Sequence, residues 1–118
     1  MLTIMTARVY DQDQPDGYRV LIDRLWPRGV SKDSLPVDEW AKDVTPSSEL
    51  RRSYHHGELD FPAFRDQFRA ELDASDAVAE LYERIDKRRH LVLLTAAKDV
   101  DHSHVPVIIE ALRACDTD

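Results

Sequence analysis

The sequence predicts an α/β fold: a single small domain with a short, at least partly parallel sheet packed with helices, in the order β-β-α-α-α-β-α. Three observations carry that expectation. Residues 91–95 (Leu-Val-Leu-Leu-Thr) form an apolar run that passes through a polar loop straight into a helical pattern, the strand-to-helix unit of α/β proteins. Two segments rich in β-branched and aromatic residues stand near the N-terminus. Between these and the late strand lie stretches whose apolar residues recur at helical spacing. A chain of 118 residues suits one domain over residues 1–118, and its 42% apolar content can build one core.

The elements follow in order. Residues 3–10 read as the first strand. Asp, Gln, Pro and Gly gather over residues 11–17 as a turn. Residues 18–23 form the second strand, and residues 29–36 a loop. Residues 37–42 read as a short helical turn carrying Trp40. Thr45 as N-cap and Pro46 at the first helical position open a helix that runs to about Tyr54 and ends at His55-His56-Gly57. Asp60 caps a second helix with Phe61, Phe64, Phe68 and Leu72 on one face. Ser75 caps a third, with Val78, Leu81, Tyr82 and Ile85 as its stripe. Asp76 in its first turn and Lys87, Arg88 and Arg89 in its last suit the helix dipole. The last helix opens between Ser103 and Pro106 and buries Val105, Ile108, Ile109 and Leu112, with Cys115 expected as a buried structural thiol.

Composition weighs against several function classes and leaves a nucleic-acid role for the Arg-rich loop as the weakest alternative. The formal charge of −7 speaks against a nucleic-acid partner or an acidic membrane surface, because phosphate contacts need a basic footprint. No apolar run approaches the ~20 residues that cross a bilayer, so no membrane partner is expected. One cysteine and no secretory pattern make the cytoplasm the expected location. Three glycines, Gly17, Gly29 and Gly57, have no dinucleotide or phosphate-loop spacing. No Gly-x-Ser-x-Gly elbow is present.

Two polar segments follow apolar strands. In the first, the run 20–32 ends in Asp23, Arg24, Trp26, Pro27, Arg28, Gly29 and Lys32. Arginine offers a planar fork to carboxylate or phosphate, and Trp26-Pro27 adds a stiff aromatic wall. Arg24, Trp26, Arg28 and Lys32 are candidate ligand contacts, and Asp23 is a candidate acid or base. The competing reading pairs Asp23 with an Arg, places Trp26 in the core and holds the loop shut. In the second, Lys98-Asp99-Val100-Asp101-His102-Ser103-His104 lies between a strand end and a helix start, where α/β sheets place ligands. Lys98 is a candidate anion contact, and Asp99 and His102 are candidate catalytic groups. The competing reading has Asp101 or Ser103 capping the helix and the histidines exposed. His55, His56, His102, His104 and Asp101 would make a metal site only if the fold brought them together, and no metal is assigned. No cofactor follows from the residues.

Arg8-Val9-Tyr10, the run 17–32 with its Asp-Arg-Leu-Trp-Pro-Arg-Gly core, Trp40-Ala41-Lys42-Asp43-Val44-Thr45-Pro46-Ser47 and Leu94-Thr95-Ala96-Ala97-Lys98-Asp99 together resemble the DUF488 family, and within it the short YeaO-like branch. The resemblance covers nearly the whole chain. It places His102 and His104 in the branch's His-containing loop and implies the same two polar segments. It assigns no reaction. A tetrapyrrole methyltransferase reading finds no support, since the chain is short and lacks a glycine-rich methyl-donor loop. The expected function is binding of, or action on, a small phosphorylated or carboxylated molecule. The alternative is a noncatalytic regulatory or partner-binding module built on Trp26, Pro27 and Trp40.

Overall fold

The computed structural model describes residues 2–85 and 90–116. Its sheet has four strands: β1 (Thr3–Arg8), β2 (Tyr18–Leu21), β3 (Glu39–Trp40) and β4 (His90–Thr95). The order is β1-β4-β2-β3, and all three pairings are parallel. The helices are α1 (Ser48–His55), α2 (Phe61–Asp73), α3 (Ala77–Ile85) and α4 (Val105–Cys115). The α/β class and the parallel sheet agree with the sequence reading. Lys87, Arg88 and Arg89 lie outside the described residues. No described helix is long and apolar enough to cross a membrane.

Strand β4 is central and buried from Leu91 to Thr95, which explains its near-continuous apolar sequence. Its side chains alternate between two cores. Leu91 and Leu93 join Val20, Ile22 and the buried faces of all four helices. Val92 and Leu94 join Ala7, Val9 and Leu21 on the opposite face, where Leu35, Trp26, Val30 and Val37 cover them. That second face is therefore roofed by the apolar residues of the loop between β2 and β3, while the loop's Arg24, Arg28 and Lys32 stay exposed.

Five expectations are corrected. The helical turn expected over residues 37–42 is instead the edge strand β3, followed by a 3-10 turn over Lys42–Val44. The backbone explains it: Asp38 N–H donates to Arg19 O at 2.8 Å and Ala41 N–H donates to Leu21 O at 2.9 Å, bonds that demand an extended chain beside β2. The first-helix cap is Ser47 rather than Thr45. Ser47 Oγ accepts from Leu50 N–H at 3.1 Å, whereas the Thr45 hydroxyl turns back to Lys42 O at 2.6 Å. Strand β2 pairs only to Leu21, after which Ile22 N–H donates to Leu94 O at 3.0 Å and Asp23 leaves the ladder. Cys115 is exposed, because the stripe of α4 turns Ala111 and Leu112 inward and leaves the last turn outside. The cap at Asp60 stands as expected, accepting from Ala63 N–H at 2.9 Å. Ser75 Oγ accepts from Ala77 N–H at 3.1 Å, but the first helical bond of α3 runs from Glu80 N–H to Asp76 O at 2.9 Å, so Ser75 sits one residue before the cap position.

Candidate functional site at the carboxyl end of the sheet

Because every pairing is parallel, all strands end on the same side of the sheet. The two polar segments follow β2 and β4, which are neighbours, so they meet. Asp23 is the meeting point. Its Oδ1 accepts from Thr95 Oγ1 at 2.7 Å and from His104 Nε2 at 3.0 Å, and its Oδ2 accepts from Ala96 N–H at 2.7 Å. His104 Nε2 also reaches Ile22 O at 2.8 Å, which requires that nitrogen to carry the proton. Trp40 Nε1–H donates to Asp23 O at 2.7 Å. The side chains of Asp23 and His104 are only 14% and 16% exposed.

Burial pushes the Asp23 carboxyl up, but the hydrogen bonds from His104, Ala96 and Thr95 and the attraction of His104 outweigh it, so the carboxyl titrates below its ordinary value. An ionised carboxylate with three donors on its two oxygens is well placed to tie β2, β4 and the entry to α4 together. Its lone pairs face protein donors rather than a ligand.

The remaining expected residues divide into three groups. Asp99 and His102 form a surface pair, Nδ1 to Oδ2 at 2.9 Å, with side chains 69% and 61% exposed. The His102 ring meets Phe61 edge-on at 5.3 Å, and its carbonyl accepts from Tyr54 Oη at 2.7 Å. Trp26 and Trp40 are half-buried and meet edge to face at 5.3 Å. The Trp26 indole N–H donates to Val30 O at 2.6 Å, pinning the loop. Pro27 is buried, and Leu25, at 66%, is the exposed apolar side chain of this loop. The cations are all exposed. Arg24 makes one long 3.5 Å bond to Pro46 O, Lys32 lies 5.9 Å from the Trp26 ring centroid, and Arg28 and Lys98 form no salt bridge among the described residues.

Sequence reasoning did not single out Arg8 or Tyr10 as site residues, and it gave His104 the least weight. Arg8 ends β1, and its Nε–H donates to Ala97 O at 2.9 Å. Its guanidinium carbon stands 5.5 Å from the Tyr10 ring centroid, and Tyr10 Oη–H donates to Arg28 O at 3.0 Å. The strand-end rule that selected Arg24 would also have selected Arg8 once β1 was known to be parallel to β4. Among the described residues no three His, Cys, Asp or Glu side chains gather as a metal site.

Comparisons with known proteins show the family. A family model described as "Inactive DUF488-N3 subclade" matches residues 3–116. The chain is 43% identical over 114 residues to "Uncharacterized protein YeaO" of Escherichia coli (strain K12), covering 96% of this chain and 99% of the relative. It is 44% identical over 110 residues to "Uncharacterized protein Rv3073c" of Mycobacterium tuberculosis (strain ATCC 25618 / H37Rv), covering 92% of each. "Uncharacterized protein Mb3100c" of Mycobacterium bovis (strain ATCC BAA-935 / AF2122/97) shows the same identity and coverage. No solved structure matches the chain significantly. The match over nearly every residue places both polar segments and the strands that carry them inside one family, and this chain belongs to the DUF488 family, in its YeaO-like branch.

Proposed function

We propose that the protein binds a small anionic molecule, phosphorylated or carboxylated, at the carboxyl end of its sheet, as a binding protein rather than a catalyst working through Asp23. The observation that carries this reading is the chain of contacts from Arg28 through Tyr10 and Arg8 to Ala97, the residue before Lys98. It gathers three cation-bearing segments on one rim, and none of Arg8, Arg28 and Lys98 forms a salt bridge among the described residues. On a chain of net charge −7 such a rim acts locally, since the long-range field repels anions. The bonding of Asp23 argues against an acid–base role for it, and the word "Inactive" in the family description points the same way. The Asp99–His102 pair stays open to solvent and remains the candidate proton-transfer group if turnover occurs. The reading takes residues 1–118 as one domain working in the cytoplasm, in keeping with a single free cysteine.

A thermal-shift series tests it with inorganic phosphate and a panel of phosphorylated and carboxylated metabolites, on wild type, Arg28→Ala and Lys98→Ala. A ligand at a hundred times its Kd adds about 2.7 kcal/mol to the native state, which raises Tm by about 10 °C in a domain of this size. The rise should shrink in both variants while their unliganded melting stays near wild type. A well-folded wild type that no compound shifts would overturn the reading. It would favour a partner-binding module, for which exposed Leu25 is the natural anchor.

A further inference from the structure

We propose that a second site, the cleft between the 3-10 turn over Lys42–Val44 and the start of α3, binds a small zwitterion carrying a carboxylate at one end and an ammonium at the other. The cleft measures about 840 Å³, within the range of small-molecule sites. Its two walls differ in sign. Arg24, Lys42 and Asp43, with Thr45 beside them, come from the chain around β2 and β3; Asp76 and Glu80 come from α3. One wall carries a net positive charge and the other two negative charges.

These charges face a common space without pairing. None of the five takes part in a salt bridge among the described residues. Arg24 makes only its long bond to Pro46 O, so most of its donor fork is free. Lys42 Nζ lies 3.9 Å from the Trp40 ring centroid, a position that holds the ammonium at the cleft wall without neutralising it. Immediately beside the cleft the same element does form an ion pair: Arg84 Nη2 meets Glu39 Oε1 at 2.5 Å. That pair removes Arg84 as a partner in contact with Glu80, whose carboxylate acts on it only through space.

A cleft polarised in this way discriminates by charge pattern. A simple anion is drawn to Arg24 and Lys42 and repelled by Asp76 and Glu80; a simple amine meets the reverse. A molecule with a carboxylate and an ammonium satisfies both walls at once. Free amino acids and ω-amino carboxylates are the ligand class with that pattern at this size. The site is separate from the rim of Arg8, Arg28 and Lys98, so either can fail without the other.

Titration calorimetry on the full chain tests it with glycine, 4-aminobutanoate and 6-aminohexanoate, set against hexanoate and hexylamine. The best zwitterion should bind at least about tenfold tighter than either half-molecule, since each charged hydrogen bond adds about a factor of ten or more. The double variants Arg24→Gln/Lys42→Gln and Asp76→Asn/Glu80→Gln should each weaken it by about tenfold or more. All four positions are exposed, so both variants should keep the wild-type circular dichroism spectrum. Binding should change Trp40 fluorescence as Lys42 turns toward the carboxylate, and Lys42→Gln should abolish that change. Half-molecules that bind as well as the zwitterions, or five compounds that give no heat and no fluorescence change, would overturn the proposal.

Discussion

Replacing Asp23 with alanine tests whether this carboxylate holds the fold together. The substitution strands the Thr95 hydroxyl and the Ala96 N–H, bonded at 2.7 Å each, and leaves His104 with the Ile22 carbonyl alone. A charged hydrogen bond contributes about 1.5–3 kcal/mol, and each buried donor left without its acceptor costs about 1–3 kcal/mol. The side chain is 14% exposed, so solvent screens little of this. Because the three donors share one carboxylate, their losses overlap, and about 3–5 kcal/mol for the whole cluster is the appropriate figure. In a chain of this length that lowers Tm by about 12–20 °C. Calorimetric melting at pH 7 measures it directly. Acid supplies the second half of the test. The folded carboxyl titrates below its ordinary value, so its stabilisation is complete above the unfolded-chain value of about 3.9 and is lost as pH falls through the folded one. Asp116, lowered by the Leu2 N–H and the Tyr82 hydroxyl, is lost in a similar window. The difference between wild type and variant isolates Asp23, and it should shrink as pH drops below about 4. A Tm within about 3 °C of wild type, equivalent to less than 1 kcal/mol, or a difference that does not depend on acid, would refute the reasoning.

Three further outcomes follow from local geometry. Ser47→Ala removes the α1 cap and the 2.6 Å bond from the Ser47 hydroxyl to Glu71, and should cost about 1–2 kcal/mol in urea unfolding; an unchanged midpoint would contradict the assignment of the cap. Gly17→Ala places a methyl 2.8 Å from the His90 carbonyl oxygen at a φ of +152°. It should destabilise by about 1–3 kcal/mol, and a neutral result would mean that β2 enters the sheet differently. Cys115, exposed and free, should react stoichiometrically with a thiol reagent in the native protein. A thiol that needs denaturant to react would return it to the core.

Most of the fold was legible because the relevant signals are local. Phe64, Phe68 and Leu72 repeat at helical spacing and are buried, and the Asp60 cap can be read from its position three residues before Ala63. The run of β4 is apolar on both faces because β4 is buried on both faces. Strand β3 was not legible. Two residues, Glu39 and Trp40, carry no periodicity, and their extended form comes from bonds at Arg19 and Leu21, some twenty positions earlier. Cys115 misled for a related reason. Its spacing from Ile108 and Leu112 suggests the buried stripe, but α4 leaves the core before its last turn.

The site was half legible, and the dividing line is physical. Strand ends followed by charge can be located from sequence alone, and both segments do lie on one side of the sheet. Whether a charged residue there faces a ligand or the protein depends on what the neighbouring strand presents at the same level. Leu21 is in register with Leu94, so the residues two further on, Asp23 and Ala96, emerge side by side, and the carboxylate meets a backbone N–H and the Thr95 hydroxyl before it can meet solvent. Had the register shifted by one residue, Asp23 would have emerged beside Thr95 or Ala97, and Oδ2 would have lost its 2.7 Å donor at Ala96. The histidine at 104 follows the same logic: at the entry to α4 its ring reaches Ile22 O and Asp23 together. His102, two residues earlier in a 3-10 turn, points its contacts to Asp99 and Phe61. Residue types at a strand end therefore identify where chemistry can occur, while pairing register decides which of those residues are already committed to the fold.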